Sequence, residues 1–67
     1  MNEEVLRIKK LLEHWIEHNE EHLARFREVA AVAEKLGITE VSRAIQTAAM
    51  NGDEVSRYLK KALNSIE

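Results

Sequence analysis

Apolar residues recur in the first half of the chain at Val5, Ile8, Leu12, Trp15, Phe26, Val29, Ala33 and Leu36, and Asn19 and His22 hold the two intervening places. The steps alternate three and four without a slip, the 3.5-residue repeat of a helix packed along a seam. With Val5 as a, the a positions are Val5, Leu12, Asn19, Phe26 and Ala33, and the d positions are Ile8, Trp15, His22, Val29 and Leu36. Asn2 is placed to cap the start, with Glu3 and Glu4 in the first turn, where the helix dipole favours anions. Gly37 suits the left-handed residue that ends a helix, and Ile38 is placed to fold back onto Ala33 or Val32. The pattern predicts one helix over 2–36, about 50 Å long at 1.5 Å per residue.

Thr39 is a suitable cap for a second element, with Glu40 in its first turn. A second repeat runs Ile38, Val41, Ile45, Ala48, Gly52, Val55, Leu59, Ala62 and Ile66. Asn51-Gly52-Asp53 reads locally as a helix stop, with Asp53 capping a third helix. The repeat nevertheless keeps phase across it, and one glycine inside a helix costs only about 1 kcal/mol. The reading is therefore a single helix over 39–66, with a three-helix bundle broken at 51–53 as the alternative.

A connection of Gly37 and Ile38 makes the helices antiparallel neighbours, so residues whose numbers add to about 75 face each other. That register sets Phe26 against Ala48 and Ala49, Val29 against Ile45, and Leu12 against Ala62 and Leu63. Further apolar residues widen the stripe: Leu11, Ile16, Leu23, Ala30 and Val32 on the first helix, Ala44, Ala49, Tyr58 and Leu63 on the second. So broad a face needs more than one partner helix. The expected architecture is all-α, one domain over 1–67: a long antiparallel hairpin that forms a homodimeric four-helix bundle.

Composition narrows the functions. At 67 residues the chain is near the size where one core is marginal, and without cysteine it has no disulfide or thiolate metal site to staple it. The net charge of −2 argues against nucleic acid as a partner. No apolar run is long enough for a membrane span, and the charged start is no signal peptide, so a cytoplasmic location is expected.

Two polar residues interrupt the first stripe, and breaks in a consistent pattern are where function tends to sit. Asn19 and His22 face Gly52, Asp53 and Ser56 in the hairpin register, which predicts a polar layer with His22 satisfied by Asp53 or Ser56. In one reading the layer only fixes register and assembly. In the other, His14, His18 and His22, spaced four apart, offer two overlapping pairs of imidazoles, each pair close enough to share a metal ion. Glu21 and Asp53 are the carboxylates placed to complete such a site. Imidazole with carboxylate suits zinc, nickel, cobalt, copper(II) or iron. His22 from two subunits holding a haem is a minor variant.

Two segments, His14-Trp15-Ile16-Glu17-His18 and His18-Asn19-Glu20-Glu21-His22, match the inverted zinc-protease pattern H-x-x-E-H, but that chemistry needs a larger domain with a cleft. Ferritin-like di-iron sites need Glu three residues before His, where this chain has Leu11, Trp15 and Asn19. Ser42, Ser56 and Ser65 lie on helix faces, not strained turns, so no acyl-transfer site is expected. The run from His14 to His22, together with Tyr58-Leu59-Lys60-Lys61-Ala62-Leu63, resembles small uncharacterised prokaryotic helical proteins with an H-W-x-x-H-N-x-x-H first helix. That resemblance implies a compact helical protein and carries over no activity. The functional expectation is a non-enzymatic metal-binding helical protein, a carrier, store or sensor. The competing expectation is a structural or protein-interaction module. A pH switch through His22 is a third.

Overall fold

The computed structural model describes residues 2–66, so both ends of the expected 1–67 domain lie outside the described residues. The chain forms an antiparallel hairpin of two helices, α1 (Glu3–Lys35) and α2 (Thr39–Ile66), in a rod of 53 × 14 × 12 Å. Asn2 caps α1: its Oδ1 accepts the Val5 amide at 2.8 Å, ahead of Glu3 and Glu4 in the first turn. Gly37, at φ +80°, ends it. The Gly37 amide donates to the Glu34 carbonyl at 3.0 Å and the Ile38 amide to the Ala33 carbonyl at 3.1 Å, closing the helix in the manner that favours glycine. The Ile38 carbonyl then accepts the Ser42 amide at 3.1 Å. Ile38 thus finishes one helix and starts the next, and Thr39 is the first helical residue of α2 rather than its cap.

α2 runs unbroken through Asn51-Gly52-Asp53, which excludes the three-helix alternative. Packing explains why a glycine stands there. A Cβ at Gly52 would overlap Leu23 Cδ2 and lie only 3.2 Å from its Cγ. Leu23 is 3% exposed, so the glycine is the seat of a buried leucine, which offsets its poor helix propensity.

The seam between the helices is rotated from the expected one. On α1 the sheltered positions are Val5, Lys9, Leu12, Ile16, Asn19, Leu23, Ala30 and Ala33. On α2, from Ser42 onward, they are Ser42, Ile45, Ala49, Gly52, Ser56, Leu59, Leu63 and Ile66. The a column of α1 is kept apart from Phe26, which is mostly out of the seam. The expected d column (Ile8, Trp15, His22, Val29, Leu36) gives way to residues four after each a. On α2, Val41, Ala48, Val55 and Ala62 give way to their following neighbours. Trp15 remains 48% exposed and Val55 50%.

The reason is size and hydrogen bonding. Ala30, Ala33, Ser42, Ala49, Gly52 and Ser56 let the two backbones approach closely. Ser42, fully buried, donates from Oγ to the Ala30 carbonyl at 2.8 Å and accepts from Gln46 Nε2 at 3.0 Å. A seam built on Trp15 and Val55 would hold the helices apart and leave those groups unbonded. Among the described residues, no helix is long and apolar enough to cross a membrane.

Candidate functional site

The polar layer forms at mid-height of the rod. Asn19, the middle residue of α1, donates from Nδ2 to the Gly52 carbonyl at 2.9 Å and to Ser56 Oγ at 2.8 Å. The missing side chain of Gly52 thus serves twice, seating Leu23 and leaving its carbonyl accessible to Asn19. His22 is not part of this layer. It is exposed, the Ser56 hydroxyl is taken by Asn19, and Asp53 turns the other way, accepting Arg27 Nη2 through Oδ2 at 2.6 Å.

The seam has two flanks of opposite character. On one, Glu20 and Arg27 of α1, seven residues apart, reach Lys60 and Asp53 of α2, also seven apart. Lys60 Nζ lies 2.8 Å from Glu20 Oε2, and Arg27–Asp53 is the second bridge. On the other flank an open groove of about 550 Å³ is lined by His14, Trp15, His18, Asn19, His22, Val55 and Leu59. Because the seam holds its seven-residue repeat along the rod, Ile8 and Val29 lie on the same side of α1 as Trp15 and His22. Val41, Ala48 and Ala62 likewise share the side of Val55. The displaced columns of both helices thus form one apolar flank, with the histidines at its centre.

The three histidine rings are stacked along α1. The His14 and His18 centroids are 5.7 Å apart and those of His18 and His22 4.6 Å apart; Phe26 lies next, at 6.4 Å from His22. With metal–nitrogen bonds of about 2.0–2.1 Å, two imidazoles on neighbouring positions of one ion have centroids roughly 4.5–5.2 Å apart. The His18–His22 pair meets that spacing as it stands; the His14–His18 pair is too wide. Of the two carboxylates expected to complete the site, Asp53 is on the opposite flank with Arg27, and Glu21 is an exposed residue of α1. Among the described residues, no group of three or more histidines and carboxylates is placed to hold one ion.

Elsewhere the charges serve the surface. Arg57 grips Glu54 through Nε at 3.2 Å and Nη2 at 2.8 Å, which holds the Glu54 carboxyl below its ordinary range and raises Arg57 in turn. Of the residues the sequence register set against Asn19, Gly52 and Ser56 are its partners and Asp53 is not. Sequence reasoning missed the buried Ser42 and the split of the stripe into seam and flank, although the surplus apolar width signalled that one seam would not hold it all.

No solved structure matches the chain. An uncharacterized protein of Archaeoglobus fulgidus is 38% identical over 60 residues, covering 90% of this chain and 95% of its own length. The model of a family described as Domain of unknown function (DUF8180) matches residues 8–66. The match covers the hairpin apart from the first five residues of α1, and the chain belongs to that family.

Proposed function

We propose that this chain is a non-enzymatic assembly module: a helical hairpin that works as a homodimer, two copies closing their apolar flanks into a four-helix bundle. The observation that carries the reading is the unspent apolar surface. A compact chain of 7.7 kDa exposes about 4,300 Å², whereas this rod exposes 5259 Å². The difference is roughly 900 Å² of total surface, to which the rod shape contributes, and it leaves room for the ~800 Å² that each partner gives to an interface of standard size.

The bulk of the apolar side chains supports the same conclusion. The buried apolar residues among those described are Leu12, Leu23, Ala30, Ala33 and Ala49, a core too thin to hold a chain of this length on its own. Ile8, Trp15, Val29, Val41 and Val55 stay outside it. A second copy is the occupant because the flank pairs bulky residues on α1 (Trp15, Val29) with small ones on α2 (Ala48, Ala62), a self-complementary surface. The module is assigned to the cytoplasm, an assembly held without disulfides.

Sedimentation equilibrium of the untagged chain tests this. The expected result is a mass twice 7.7 kDa, with a thermal midpoint that rises with protein concentration. A folded monomer whose midpoint is independent of concentration would overturn it.

A further inference from the structure

We infer that the dimer carries a divalent transition-metal site that neither copy completes alone, built from His18 and His22 of both chains. The inference rests on the assembly reading above and names what its central layer binds.

One chain supplies half a site. The His18 and His22 rings are already at the separation of two ligands on one ion, 4.6 Å between centroids, on an exposed groove. Two imidazoles are too few for a firm site, which takes four ligands when closed. No third ligand of the same chain converges on them among the described residues: Asp53 is held by Arg27 on the opposite flank.

Height along the rod decides whether a second copy can supply the rest. α1 spans Glu3–Lys35, so its midpoint is Asn19, and Asn19 bonds Gly52, which lies next to the midpoint of α2. His18 lies about 1.5 Å below that level and His22 about 4.5 Å above it. A twofold axis along the rod leaves heights unchanged, so the pair meets its copy level. A twofold axis across the middle of the rod inverts heights, and the two pairs still overlap within a few Å. Either symmetry brings the two pairs to overlapping heights, level under the first and with their centres about 3 Å apart under the second, whereas a pair near an end would meet only under the first.

Four neutral imidazoles around one ion make a closed tetrahedral nitrogen set, suited to Zn²⁺ and to Co²⁺ as its spectroscopic substitute. The apolar residues above and below, Trp15 and Val55 among them, exclude water from it. Asn19, bonded across the seam one residue from His18, fixes the rotation of α1 and so the direction of the pair.

The test is a Co²⁺ titration of the untagged, metal-stripped chain, read by visible d–d absorption, with mass measured on the same samples. The expected result is a tetrahedral spectrum saturating at one Co²⁺ per two chains, in a dimer. H18Q/H22Q, which keeps size and polarity on an exposed surface, stays dimeric and loses the spectrum. Its affinity falls by more than the roughly 100-fold that losing a supporting hydrogen bond costs a metal site. Saturation at one ion per chain, or a spectrum unchanged in the double variant, overturns the shared site. A dimer that takes up no Co²⁺ below about 10 μM overturns the metal inference and leaves the assembly reading standing. A folded monomer with or without Co²⁺ overturns both.

Discussion

The two flanks of the seam are finished in opposite ways. On one, Glu20–Lys60 and Arg27–Asp53 reach across the helices, and their long side chains cover the seam from solvent. On the other, Trp15, Val29, Val41 and Val55 stay 38–50% exposed. Each bridge is half exposed, so it contributes at most about 1 kcal/mol, screened by salt. The charged flank is complete in one copy. The apolar flank keeps bulky side chains at the surface, and the proposed second copy would cover them.

The largest expected effect breaks the apolar flank. Trp15→Glu should raise the dimer dissociation constant by more than 100-fold, about 3 kcal/mol, seen as a mass shift in sedimentation; Glu20→Gln on the charged flank should leave the mass unchanged. Next comes the seam that both flanks share. Gly52→Ala should lower stability by about 2 kcal/mol in urea unfolding, because overpacking against Leu23 outweighs the gain in helix propensity. Adding Leu23→Ala should make the pair less than additive, since the space and its occupant change together. Asn19→Ala removes a side chain bonded to Gly52 and Ser56 and should cost about 1–2 kcal/mol by the same measurement.

The charged flank sharpens the contrast from below. A Glu20→Gln/Lys60→Gln cycle should give a coupling under about 1 kcal/mol that vanishes in high salt. The smallest effect concerns acid. Arg57 holds the Glu54 carboxyl below its ordinary value of 4.5, so the pair's contribution is present above that pH and lost as pH falls through the lowered value. Glu54→Gln should flatten the acid limb of the stability profile slightly and leave neutral pH unchanged.

The hairpin was legible because a long repeat without slips, Asn2, Gly37 and the antiparallel register all agree on it. Its rotation was not. Hydrophobicity ranks Trp15 and Val55 above Lys9, Ser42 and Ser56, so a stripe drawn by apolarity takes the bulky columns as the seam. What decides is how near two backbones can come, and that favours Ala30, Ser42, Ala49 and Gly52, whose value lies in being small or in bonding across. The polar layer was half legible for the same reason. Asn19 lies in the column common to both stripes and kept its predicted partners. His22 lies in the column that moved, and it left Asp53 and Ser56 when that column turned outward.

The connection at Ile38 bears on time as well as shape. Its amide closes α1 and its carbonyl opens α2, so Ala30 and Ser42, joined through the Ser42 hydroxyl, meet across a short stretch of chain. Closing a short loop costs little entropy, and the cost grows with each rung farther from the turn. The small-residue rungs beside the turn are therefore the cheapest to form, and the hairpin zips outward from them. Native-state amide exchange should carry that history, slowest around Ala30 and Ala49 and fastest where the rod opens at Val5 and Leu63.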